Sequence, residues 1–470
     1  MSIFSALLGH DDAVGDRVPL EIVTEQRWDG FCEDERRWAT ALGFGLDTPS
    51  LWPIRTADGG IEKIRVSIGE NDACAHDPWW MAGVCEKLGA GLYRFSGELA
   101  DDVLAAGALG WLLAHYRFDR YRSGPAPMPQ RRLLLPKSID IEAIVYQAES
   151  FGLIRDLVNT PAADMGPADL QAAAENTAEA YGASCQVTIG DALLTQSFPA
   201  IHAVGRAATP AHTPRLIDLR WGDRAHRRVT LIGKGVCFDT GGLNIKTGNH
   251  MRLMKKDMAG AAHALGLARM IMAAGLKVHL RLLIPAVENA VSADSYRPGD
   301  IVATRKGLTV EIDNTDAEGR MILCDALAYA CEDEPDLLLD FATLTGANTS
   351  AVGPDMAGVY TDDDGLWHAL ETASRDTGDP LWRMPLWRPY ARKLKSNVAD
   401  IANRAAGFPY VGGTIAAHFL QHFVAPGTRW AHVDFFAWHL EQAPGRPKGA
   451  AVIGIRAAFQ AIARLCSQRP

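Results

Sequence analysis

The chain has 470 residues, 48% of them hydrophobic and 22% charged, with a formal net charge of -9. That balance supplies ample apolar material for a core and excludes intrinsic disorder. The acidic surplus argues against an overall nucleic-acid footprint, and no run reaches the ~18 apolar residues a membrane-spanning helix requires.

Residues 1–9 carry no basic segment and only a short apolar run, so they do not read as a secretory signal, and a cytoplasmic location is expected. Cysteines stand singly at positions 32, 74, 85, 185, 237, 324, 331 and 466 with no CxxC pair, the pattern of reduced thiols. A chain of this length predicts two domains. Residues 1–135 mix short strand-like runs (Leu20–Val23, Ile64–Ile68, Leu92–Phe95) with helical patterns at Glu33–Leu42, Pro78–Leu88 and Leu99–Tyr116, a smaller α/β domain without evident chemistry. The proline-dense stretch Gly124–Pro129 breaks regular structure, and the boundary is placed just after it. A helical pattern over Ile139–Val158 ends at Asn159-Thr160-Pro161, because proline disfavours helix in the residue before it; residues 136–162 are read as a linking helix.

From 163 to 470, strand patterns at Arg215–Leu219, Val229–Ile232, Val278–Ile284 and Leu337–Phe341 alternate with helical ones at Met258–Ala274 and Met321–Cys331. This predicts a larger α/β domain whose mostly parallel or mixed sheet is sandwiched by helices. Such sheets bind ligands beyond the carboxyl ends of their strands. Two loops fall on that edge, one at Lys234–Asp239 and one at Thr343–Ala347.

The densest chemistry lies in Asn314-Thr315-Asp316-Ala317-Glu318-Gly319-Arg320. Upstream stand Gly233 to Lys246 (GKGVCFDTGGLNIK) and Lys255-Lys256-Asp257-Met258-Ala259-Gly260. There is no HExxH, GxSxG or GxxxxGK[ST], and Phe238 stands where a dinucleotide fingerprint would place its third glycine. Each residue has a structural explanation. Asp257 could cap a helix, Thr315 and Glu318 match a capping box, Asp239 to Gly242 could be a tight turn, and Lys234, Lys246 and Arg320 could be exposed charges. Taken singly these suffice. Together they leave unexplained why Asp239, Asp257, Asp316 and Glu318 gather at one sheet edge, where they would repel without cations. Hard oxygen donors suit Mg²⁺ or Mn²⁺, and carboxylates also serve Zn²⁺. Two ions roughly 3.5 to 4 Å apart can activate a water and clamp the oxyanion formed on attack, so a two-metal hydrolase fits.

These motifs, in this order and with ATLTGA following, resemble the leucyl aminopeptidase (cytosol aminopeptidase) family. The resemblance runs from Arg155 to Asp434, while the N-terminal third matches only loosely, chiefly at Tyr116–Tyr121. It implies Lys234, Asp239, Asp257, Asp316 and Glu318 as ligands of two divalent ions, with Asp239 and Glu318 bridging and the Asp316 carbonyl a further ligand. It also implies that Lys246 polarises the scissile carbonyl and that Arg320 holds a bicarbonate ion as proton relay. The substrate's free amine would meet one metal and Asp257, and Met254, Thr343, Leu344 and Gly346 would line the pocket for an apolar first side chain. A homo-hexamer acting on peptides is implied as well. Thr240 departs from the commoner serine. His250 and His263 match no ligand position, and His263 reads as a satisfied core histidine.

The expectation is thus a two-metal aminopeptidase that releases N-terminal, leucine-like residues. The alternatives are a binuclear hydrolase of another amide or ester and a DNA-binding or structural relative, which the acidic balance disfavours.

Overall fold

The structure is a computed structural model and describes residues 4–11, 17–47, 50–67, 77–97, 99–124 and 127–467. Ile68, Cys74 and residues 125 and 126 of the Gly124–Pro129 stretch lie outside them. The chain forms two compact units. One comprises residues 1–152, 376–378 and 440–448, and the other residues 153–375, 379–439 and 449–470.

The first unit is built on a six-stranded sheet in the order Leu8–His10, Arg131–Leu135, Gly91–Ser96, Val18–Ile22, Ile61–Ser67, Ser50–Arg55. Neighbours run parallel except the last pair. Helices Trp79–Lys87 and Asp101–Leu113 are apolar around most of their circumference, and Trp80, Met81, Trp111 and Leu112 are buried accordingly. A second cluster packs Val23, Ala39, Phe44 and Trp52 against Trp28 and Phe31.

The second unit contains a 9-stranded mixed sheet. At its centre Trp430–Asp434, Leu337–Ala342, Arg227–Gly233 and Val278–Asn289 lie side by side, all parallel. Antiparallel strands flank them: Ala357–Tyr360 beyond the first, and Arg215–Trp221 then Ser184–Ile189 beyond the last. The centre reads as continuous apolar sequence because both faces are covered; every residue of Leu337–Ala342 is buried. On one face Ile232, Leu283, Leu338 and Trp430 join residues of helices Pro199–Gly205, Glu318–Cys331 and Gly412–Gln421 in one core. The alternate residues Val229 and Leu231 point the other way, where helix Ala259–Ala273 packs. Among the described residues no helix is long and apolar enough to cross a membrane.

Candidate active site

The parallel strands deliver chemistry at their carboxyl ends. Strand Arg227–Gly233 runs out into Lys234, the short strand Gly235–Asp239 ends on Asp239, and Leu337–Ala342 runs out into Thr343. Glu318 is the first residue of its helix. Asp257 sits in the 3-10 turn Met254–Met258, ahead of helix Ala259–Ala273.

Neither helix start uses the cap its sequence allowed. Met258 and Ala317 are the N-cap residues, and neither makes a side-chain capping bond. Asp257 instead accepts from Lys234 Nζ at 2.8 Å and from Thr343 Oγ1 at 2.7 Å, while Thr315 Oγ1 donates to Gly241 O at 2.6 Å. The tight turn after Asp239 does form. Gly241 has φ 87° and donates its N–H to Asp239 Oδ1 at 2.8 Å, and a Cβ there would meet Asn244 O at 2.5 Å.

Lys234 and Lys246 are not surface charges; their side chains are 3% and 14% exposed. Lys234 Nζ lies 3.0 Å from Glu318 Oε1 and donates to Thr343 O at 3.0 Å. Its stem passes Gly319 so closely that a Cβ there would stand 2.4 Å from Lys234 Cε. Lys246 Nζ is 2.7 Å from Asp239 Oδ2 and 2.5 Å from Asp316 Oδ1. Asn289, the last residue of its strand, donates to Asp239 Oδ1 at 2.8 Å and to Thr315 O at 3.1 Å. Asp434 fixes the Thr343–Gly346 loop by accepting from Leu344 N at 2.8 Å and Thr345 Oγ1 at 2.7 Å.

Charge in this cluster is unbalanced. Four carboxylates face two lysines. Burial disfavours charge on Asp239, and Glu318 and Asp257 beside it push its carboxyl well above the ordinary range. Burial also opposes the Lys234 ammonium, yet Asp257, Glu318 and Asp239 hold it above the lysine range; Asp239 and Glu318 do the same for Lys246. Oxygens of Asp239, Asp316 and Glu318 lie within 4.8 Å of one another, and Glu318 Oε2 is buried with no hydrogen-bond partner. Such a donor set fits hard divalent cations, with the two ammonium groups standing as provisional counter-charges. Arg320 fits an anion in the same way. It is buried, its Nη1 donates to Asn403 O at 2.7 Å, and its Nε has no partner.

All the residues that the sequence reading assigned to the site line one cavity of about 600 Å³: Lys234, Asp239, Lys246, Asp257, Asp316, Glu318 and Arg320, with Met254, Thr343, Leu344 and Gly346. Its wall also includes His250, Lys256, Phe408 and Phe436. Asn289, Asn403, Asp434, Lys256 and Phe436 carry no sequence signal of their own beyond standing at strand ends or beside Asp257. His263 is a satisfied core residue: its Nδ1 meets Ala259 O at 2.7 Å and its Nε2 accepts from Ile453 N at 3.2 Å.

Comparison with known proteins identifies the family. Residues 152–459 match the cytosol aminopeptidase family, catalytic domain, and residues 18–136 match the M17 aminopeptidase, N-terminal domain. The probable cytosol aminopeptidase of Geotalea uraniireducens is 36% identical over 453 residues, covering 88% of this chain and 90% of its own. That of Syntrophotalea carbinolica is 41% identical over 372 residues, covering 74% and 72%. The crystal structure of cytosol aminopeptidase from Coxiella burnetii superposes with a TM-score of 0.90 at 42% identity, over 98% of this chain and all of that one. A bottromycin maturation enzyme in complex with Mn superposes at 0.84 with 30% identity, over 96% of this chain and 100% of its own. With catalytic and N-terminal regions both matched and the cavity lined by the motif residues, the chain belongs to the cytosol aminopeptidase family and is a metal-dependent exopeptidase.

Proposed function

We propose that the chain releases apolar, leucine-like residues from the N-termini of peptides with the help of two divalent ions. Four carboxylates gathered around one cavity with only two lysines in ion-pair contact with them is the observation that carries this reading. Asp239, Asp257, Asp316 and Glu318, with the amine of Lys234, would hold the ions, which are Mn²⁺ or Zn²⁺, with Mg²⁺ also compatible with the donors. When bound, they would supply Lewis acidity and lower the pKa of a water.

The chain's own groups do the positioning. Asp257, oriented by Thr343, faces the substrate's free amine, so an internal peptide bond has no counterpart for that contact. Lys246 donates to the scissile carbonyl as negative charge grows on it. Arg320 would hold bicarbonate, which would provide a general base. The first side chain lies against Met254, Thr343, Leu344 and Gly346, where the methionine supplies an adaptable apolar wall. A homo-hexamer is carried over from the family, and exposed Trp382 and Trp387 are surface that an oligomer would cover. A cytoplasmic location accords with the relatives' names and with the absence of a membrane-spanning helix among the described residues.

Hydrolysis of leucine p-nitroanilide by chelator-stripped protein, with and without added Mn²⁺ or Zn²⁺ and beside an N-acetylated control, tests this. Metal-restored cleavage of the free-amine substrate alone is expected. Equal cleavage of the acetylated substrate would replace the aminopeptidase with a broader amide or ester hydrolase.

A further inference from the structure

The wall of the cavity beside Asp257 carries a third lysine that the proposed mechanism does not use. Lys256 is 5% exposed, on the 3-10 turn that also supplies Met254 and Asp257. Its ammonium stands 4.5 Å from the centre of the Phe436 ring, and both residues line the cavity. A cation over an aromatic face is partly stabilised without being neutralised. Burial, with Lys234 and Lys246 nearby, brings its pKa down to about 8, and Asp257 and Asp434 are the two carboxylates that oppose this. Asp257 is engaged by Lys234 and Thr343, and Asp434 by Leu344 and Thr345. Neither forms an ion pair with Lys256. A buried ammonium with an aromatic neighbour and no carboxylate partner is poorly explained as a packing element, since a methionine of the same length would fill that space without the desolvation cost.

We infer that Lys256 is a specificity-determining residue that sets the charge accepted in the first side chain of the substrate. This rests on the aminopeptidase reading above, in which the free amine lies at Asp257 and the first side chain extends along the wall formed by Met254 and its neighbours. An N-terminal glutamate or aspartate finds a counter-charge in Lys256. An N-terminal lysine or arginine meets a like charge and is turned away. Neutral apolar residues use Met254 and the Phe436 ring. The pocket thus takes apolar and acidic first residues and discriminates against basic ones.

The test is the ratio of kcat/KM for glutamyl and lysyl p-nitroanilides, with the leucyl compound alongside, in the metal-loaded wild type, Lys256→Met and Lys256→Arg. Because the ratio is taken within each protein, a general loss of activity cancels. The wild type should favour the glutamyl over the lysyl substrate, Lys256→Met should lower that ratio by about ten-fold or more, and Lys256→Arg should keep most of it. A wild type that prefers the lysyl substrate overturns the inference whatever the variants do, as does a Lys256→Met ratio within two-fold of wild type. Wild-type turnover of leucyl substrate with either of those outcomes sinks this inference alone, whereas no turnover of any free-amine substrate would overturn the aminopeptidase reading and this inference with it.

Discussion

In the first unit a single carboxylate, Glu21, is met by three cations, Arg27 at 2.7 Å, Arg65 at 2.9 Å and Lys63 at 3.1 Å. In the second unit Asp239, Asp257, Asp316 and Glu318 share Lys234 and Lys246. Both clusters sit on largely parallel sheets and both are mostly buried. The first over-compensates its negative charge, with Arg65 held over the Phe31 and Trp52 rings and Arg27 and Lys63 closing from the more exposed side. The second gives four carboxylates only two ion-paired lysines, and burial and mutual repulsion push Asp239 well above the ordinary carboxylate range, the kind of perturbation that clusters at functional sites.

That contrast can be broken from either side. Glu318→Gln should lower kcat/KM for a leucyl substrate by about 10³-fold or more and reduce bound metal, measured by steady-state kinetics and elemental analysis of the dialysed protein. Lys246→Ala should lower kcat by roughly 10²- to 10³-fold while leaving metal content intact, because its ammonium acts on the substrate. Loss of metal in Lys246→Ala would merge the two roles.

Glu21→Gln is the control in the other unit. It leaves three cations facing one another, Arg65 largely buried and Arg27 and Lys63 part-exposed, and should cost about 2 kcal/mol in a denaturant titration with no change in kcat/KM. A buried group of the second unit supplies an effect that depends on pH. His263 is satisfied only when neutral, and burial brings its pKa down to about 4, below the unfolded value near 6.5. Its contribution is therefore complete above pH 6.5 and is lost as pH falls toward 4, at roughly 1.4 kcal/mol per pH unit through that window. Denaturant midpoints at pH 7, 5.5 and 4.5 should show this slope, and His263→Gln should flatten it.

Much of the site was legible in the sequence because its groups stand in short, dense segments, and those with Lys234 and Thr343 directly follow strands, where an open α/β sheet places ligands. The capping alternatives for Asp257 and Thr315 could not be settled there. Which way each side chain turns is decided by Lys234 and Gly241, which lie in loops distant in the sequence. Asn289, Asp434 and Lys256 were illegible for a related reason. Asn289 reaches Asp239 only because the 12-residue strand Val278–Asn289 extends past its neighbours and pairs with Gly235–Asp239. In the first unit, strand Ser50–Arg55 contains Pro53, a residue that a strand tolerates at the sheet edge where this one lies. Ser184–Ile189, an edge strand of the second unit, has no fully buried residue and hence no apolar pattern to read.

The most direct test of the central claim is equilibrium binding of Mn²⁺ to chelator-stripped protein, followed by calorimetry and by the shift in melting temperature, in the wild type and in Asp239→Asn. The account predicts two ions per chain and a marked upward shift for the wild type, with both diminished in the variant. A wild type that binds no Mn²⁺ and melts at the same temperature with or without it would contradict the account.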